Sequence, residues 1–186
     1  MQKLRAAIER YVPWDAQETA DRMMLLRAID ELDSPLSREN PFAHFTASAW
    51  IVNPRREKAL MAWHNIYRSW AWTGGHADGE SDLLATALRE AREETGLQAI
   101  QPVSREIYSL EVLPVSPHVK RGSFVPAHLH LNVTYLLCAD DGQKTRCKPD
   151  ENSAVAWLPL EKAADNREEP FMALIYQKLN RKLSVL

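Results

Sequence analysis

Cysteine is nearly absent from this sequence: only Cys138 and Cys147 occur, with eight residues between them. That is neither a dense disulfide framework nor a zinc-knuckle spacing, and it fits a reduced, cytoplasmic setting. Charge of one sign is also lacking, since the formal net charge is -2. Without an electropositive field the surface has no means of gathering a nucleic-acid polymer or an anionic membrane, so the expected partner is a small molecule. Long apolar runs are missing as well. Lys3, Arg5, Glu9, Arg10, Asp15, Glu18, Asp21 and Arg22 interrupt the region where a signal peptide would need an apolar core. The longest stretch free of formal charge, Ser123 to Ala139, holds Pro126, His128, His130 and Asn132 and does not read as a membrane span. No repeat or low-complexity tract is found.

What is present suits one globular domain over residues 1–186. Apolar residues make up 45% and charged residues 26% of the chain, a mixture that buries a core unaided. Residues 3–11 and 16–32 read as helices and form an N-terminal extension over 1–40. Three roles stay open for it: a lid, an arm for a homodimer, or packing. Strands are expected over His44 to Val52, Ala59 to His64, Trp70 to Trp72, Ile107 to Val115, Leu129 to Cys138 and Val155 to Leu158. A closing helix runs from Phe171 to Leu183, and the core spans 43–183. An α/β/α sandwich of mixed α+β character, with a mixed sheet, is the economical way to bury these faces.

One helix carries the chemistry. It opens near Ser81 and closes at Gly96, where a left-handed cap is expected. Leu83, Leu84, Ala87, Leu88 and Ala91 turn one face to the core. Glu90, Glu93 and Glu94 are spaced i, i+3 and i+4, so three carboxylates crowd its last two turns. The helix dipole disfavours acids there by about 0.3 to 1 kcal/mol each. Pairing with Arg89 and Arg92 on a wet face would be one explanation. A hard divalent cation with oxygen ligands is the other.

The preceding Gly74, Gly75, His76, Ala77, Asp78, Gly79 and Glu80 join a strand to this helix through backbone bare enough for a ligand's close approach. Together with it they resemble the Nudix box. That pattern is Gly, five residues, Glu, seven residues, Arg-Glu, an aliphatic, any residue, Glu-Glu, any residue, Gly, aliphatic. Gly75, Arg89, Glu90, Glu93, Glu94, Gly96 and Leu97 match in register, while Ser81 stands at the first Glu and Ala91 at the central aliphatic. The resemblance implies Mg²⁺ or Mn²⁺ held by Glu90, Glu93, Glu94 and the Gly74 carbonyl. It implies structural roles for Gly75, Arg89 and Gly96, and a hydrolase that splits a phosphoanhydride bond. Nucleoside diphosphate derivatives are the leading substrates and oxidised nucleoside triphosphates the alternative, ahead of isoprenoid diphosphate isomerisation or a silent ligand sensor. Glu90 or Glu94 is expected to serve as base. With Ser81 in the acidic position, Arg89 is expected to pair with Glu80, or with Asp78.

Two further segments are candidates. His128, Leu129, His130, Leu131, Asn132, Val133 and Thr134 alternate cleanly, so the histidines share one sheet face. With His76 they are expected to line a substrate cleft beside the acidic helix, against the alternatives of a wet face or a zinc pair lacking further ligands. Glu151, in the turn-forming run Lys148 to Asn152, stands where many relatives carry a mobile acid and is expected to approach the site only with substrate bound. Trp50, Trp63, Trp70 and Trp72 are either core or a stacking surface.

Overall fold

In the computed structural model, residues 1–120 and 122–186 are described. Two helices, α1 (Gln2–Arg10) and α2 (Ala16–Glu31), open the chain, and Asp15 caps α2 by accepting from the Glu18 amide at 2.9 Å. The main sheet holds β1 (Ala43–Val52), β2 (Lys58–His64), β3 (Ser69–Ala71), β4 (Thr73–His76), β5 (Ile100–Pro102), β6 (Ser109–Val115), β9 (His128–Ala139) and β10 (Asn152–Pro159). Its path runs β10, β2, β1, β9, β5, with β3 on β2, β4 on β1 and β6 on β9. β1 and β9 are parallel and the remaining pairs antiparallel, so the sheet is mixed as expected. The hairpin β7 (His118–Lys120) and β8 (Ser123–Val125), the short β5 and the single-turn α4 (Leu160–Ala163) lie in segments too brief for periodicity to mark.

β1 is buried along its whole length, which is what a central strand covered on both faces requires. Its register with β9 sets Phe45 beside Leu131 and Ala47 beside Val133 on one face, and His44 beside His130 and Thr46 beside Asn132 on the other. The first face meets α3 (Leu83–Thr95) through Leu83, Leu84, Ala87 and Ala91, in one apolar cluster that also takes Leu4, Ile8, Leu25 and Ala28 from α1 and α2. The second face meets α5 (Pro170–Leu183), where Tyr176 stacks on Trp50 and meets Trp72 edge-on. Trp50 and Trp72 are therefore core, while Trp63 and Trp70 meet edge to face across β2 and β3.

The N-terminal extension packs on the core, and a buried ionic network fastens it. Glu18 of α2 lies 3.1 Å from Lys178 and 2.9 Å from Lys182 of α5, and Lys178 also reaches Glu111 of β6 at 3.0 Å. Glu111 in turn accepts from Asn132 and Thr134, and Asn132 accepts from Thr46 and Ser48. Burial alone would raise the Glu18 carboxyl, yet Lys178, the Tyr11 hydroxyl, the Trp14 amide and Lys182 hold it down at about 2. Two acids and two ammonium groups balance, which is how such charges survive inside a protein.

Candidate active site

The site is built where β4 meets the last turns of α3. β4 runs straight through both glycines, so Gly74 and Gly75 are strand residues paired with Ser48 and Ala47 and not the loop expected. A side chain at Gly75 would lie 2.7 Å from Glu90 Oε1, and one at Gly74 would lie 2.5 Å from Ser48 Oγ. Both positions need bare backbone because a carboxylate and a neighbouring strand press against them. α3 is capped by Asp82, whose carboxylate accepts from the Ala85 amide at 3.1 Å, one residue later than Ser81. It ends at Gly96 in the left-handed conformation expected, φ 72°.

The three carboxylates are graded in depth. Glu93 is half exposed (48% of its side chain), Glu90 largely covered (14%) and Glu94 buried (6% for the residue). Glu94 accepts the Gly74 amide at 2.9 Å. Burial pushes its carboxyl up to about 8; the Gly74 amide opposes the rise, and the charges of Glu151 and Glu90 add to it. Lys148 places its ammonium 3.4 Å from Glu93 and 3.1 Å from Glu151. Its loop is tied to α3 by Asn152, which accepts the Lys148 amide at 3.1 Å and donates to the Glu94 carbonyl at 3.0 Å.

Several expectations are corrected here. Arg89 does not pair with Glu80 or Asp78: it donates to Glu90 at 2.9 Å and reaches the His76 carbonyl at 3.5 Å. Glu80 instead accepts the Asp82 amide at 2.7 Å, and Asp78 takes both arms of Arg38. Glu151 already stands at the acidic cluster, linked to Glu93 through Lys148, so the expected substrate-dependent approach is not needed to bring it there. His76, His128 and His130 do come together, but on the sheet face turned away from α3, because His130 pairs with His44 and His76 with Thr46 while α3 covers Phe45 and Ala47. They do not line a cleft beside the acidic helix.

Sequence reasoning missed Lys148, Asn152 and His44. Lys148 and Asn152 had no signal beyond their nearness to Glu151. His44 had one, since it opens a strand in the same alternation that sets His128 and His130 on one face. It is buried (4% exposed), and burial, with the neighbouring His128 and Arg38, lowers the affinity of its ring for a proton against the pull of the Asn40 carbonyl and Asp78.

These residues suit a divalent cation by the chemistry of their donors. Glu90, Glu93 and Glu94 share the last turns of α3, Glu151 lies near enough to raise the proton affinity of Glu94, and Arg89 and Lys148 pair with Glu90, Glu93 and Glu151. Carboxylate oxygens of graded depth are the donor chemistry that Mg²⁺ or Mn²⁺ takes.

Known proteins with the same architecture place these features in context. The chain is 37% identical to the m7GpppN-mRNA hydrolase NUDT17 of Xenopus laevis over 117 residues, which is 60% of this chain and 37% of that protein. It thus spans little more than a third of that relative's length. Among solved structures it is similar to a C. elegans Ap4A hydrolase in a binary complex, with TM-score 0.55 and 18% identity, covering 76% of this chain and 95% of that one. It is also similar to the M. smegmatis Nudix hydrolase RenU, with TM-score 0.56 and 17% identity, covering 77% and 87%. At such identities these two likenesses establish the fold alone. The NUDIX domain profile matches residues 43–179, most of the chain and all of the site just described, and the chain belongs to the NUDIX domain family.

Proposed function

We propose that this protein is a divalent-metal-dependent hydrolase that splits a phosphoanhydride bond in a nucleoside diphosphate derivative. The observation that carries the reading is the meeting of Glu90 and Glu94 with bare β4 backbone, with Glu93 on the same last turns of α3 and Glu94 buried and pushed up to about 8. Glu90, Glu93, Glu94 and the Gly74 carbonyl would hold Mg²⁺ or Mn²⁺. When bound, the ion neutralises phosphate charge and sharpens a water for attack on phosphorus.

The chain's own groups have separable tasks. Arg89, lodged between Glu90 and the His76 carbonyl, sets the Glu90 rotamer, and Gly75 leaves room for that carboxylate. The Gly74 amide fixes Glu94. Glu151, on a loop and not on a helix, is the carboxylate freest to accept the proton of the attacking water, with Glu90 and Glu94 as the alternatives. Lys148 holds Glu151 near the cluster and offers a positive charge to a substrate phosphate.

The Xenopus relative's name speaks of capped mRNA, and a cap is itself a nucleoside joined through phosphoanhydrides. A capped dinucleotide therefore belongs in the test, beside oxidised nucleoside triphosphates as the second reading. The experiment is product release from a panel of nucleoside diphosphate sugars, dinucleoside polyphosphates, a capped dinucleotide and oxidised triphosphates at fixed Mg²⁺. Turnover of at least one diphosphate compound, lost in EDTA and restored by Mg²⁺ or Mn²⁺, is the expected result. Full activity without divalent metal would overturn the metal reading, and turnover confined to oxidised triphosphates would favour the second.

A further inference from the structure

Three strands deliver one histidine each to a single point that the acidic site does not use. His44 is the second residue of β1, His76 closes β4 and His130 lies near the start of β9. Their ring centroids form an even triangle, 5.0 Å from His44 to His76, 5.0 Å from His44 to His130 and 5.0 Å from His76 to His130. One ring nitrogen from each lies within 4.8 Å of the others.

The tautomer of His44 follows from its partners. Its Nδ1 faces the Asn40 carbonyl at 3.3 Å, and a carbonyl only accepts, so Nδ1 carries the hydrogen and Nε2 the lone pair. That Nε2 is buried and has no hydrogen-bond partner. A buried acceptor left unpaired is destabilising, and a donor or an electrophile at the centre of the triangle would satisfy it. A ring whose Nδ1–H is held by a backbone carbonyl while Nε2 points into a cluster of other imidazoles is the arrangement that orients a metal-binding histidine.

We propose that His44, His76 and His130 form a second metal site, for Zn²⁺ or another late first-row divalent cation, separate from the carboxylate cluster on α3. Imidazole nitrogens select such ions, whereas Mg²⁺ seeks oxygen. Zn–N bonds of about 2.0 to 2.1 Å in a tetrahedron set nitrogens about 3.3 Å apart, so the rings draw inwards slightly on binding. The fourth position goes to water. His128 stacks on His44 at 4.9 Å and its Nδ1 faces the Pro126 carbonyl at 2.9 Å, leaving its Nε2 3.2 Å from that of His130. It supports the His130 ring from outside the triangle and is not a ligand.

The site would pin together the ends of β1, β4 and β9. His76 is also the residue from which the chain leaves for the Asp82 cap of α3, so an ion here would brace the approach to the acidic helix from the far face of the sheet.

The test uses the full chain stripped with a chelator and titrated with Zn²⁺ against a chromophoric competitor, with Co²⁺ as a spectroscopic stand-in. Wild type is expected to take up one Zn²⁺ at submicromolar affinity and to give the intense visible bands of four-coordinate cobalt. His44→Ala, His76→Gln and His130→Gln should each weaken Zn²⁺ by more than the ~100-fold that marks the upper effect of an outer partner, and His128→Gln by no more than that. His76 is only half buried, so its variant keeps the test usable should His44→Ala fail to fold. A Glu90→Gln, Glu93→Gln double variant should bind Zn²⁺ as wild type does, whatever becomes of hydrolysis. Wild type without submicromolar Zn²⁺, undiminished affinity in the histidine variants, or loss of Zn²⁺ only in the glutamate variant would each overturn the proposal.

Discussion

Replacing Glu94 with glutamine removes the one carboxyl of the cluster that burial drives towards neutrality, and the consequence for stability has a definite sign. The folded protein holds the Glu94 proton up to about 8, against 4.5 for the free side chain. Between those values the folded state binds a proton that the unfolded state has released, so the metal-free protein loses stability as pH rises through that window. Each pH unit is worth about 1.36 kcal/mol. From pH 5 to 7.5 the Glu94 contribution is therefore on the order of 3 kcal/mol, or a fall in melting temperature of roughly 6 to 12 °C for a chain of this size. Glutamine keeps an oxygen for the Gly74 amide at similar volume and has nothing to titrate. In EDTA, Glu94→Gln should melt higher than wild type at pH 7.5, and the gap should close at pH 5. Circular dichroism melts of both proteins at the two pH values measure it. Added Mg²⁺ should raise the wild type at pH 7.5 and leave the variant little changed. Equal melting temperatures at pH 7.5, or a gap that widens on acidification, would refute the reasoning.

Gly75→Ala should reduce turnover by one to two orders of magnitude with the fold retained, because its new methyl displaces the Glu90 carboxylate; steady-state kinetics with a circular dichroism control checks it. Glu151→Gln should lower kcat with little change in Mg²⁺ affinity, since three helical carboxylates remain, and wild-type kinetics would return the base to Glu90 or Glu94. Lys178→Met should lose about 3 to 5 kcal/mol in urea unfolding, because Glu18 and Glu111 would be left as buried acids with Lys182 alone to compensate. A loss below about 1 kcal/mol would refute the reasoning.

The Nudix box was legible in the sequence because its signals are local. Helical spacing crowds Glu90, Glu93 and Glu94 into the last two turns whatever surrounds them, and Gly96 stops the helix by its own backbone freedom. Strand alternation likewise groups His128 with His130 from residue order alone. Which helix covers which face of that strand is a different matter. It depends on the register of β1 against β9 and of β4 against β1, pairings between residues far apart in the chain, and these turned the histidines away from α3 and brought His44 and His76 to them. The same long-range packing gave Arg89 a carbonyl and Glu90 in place of Glu80. It also carried Lys148 across to Glu93, and buried Glu94 deeply enough to move its proton affinity. Residue order determined what each segment presents on each side; only the assembled sheet decided what those sides meet, because burial and proximity are properties of the neighbours as much as of the residue.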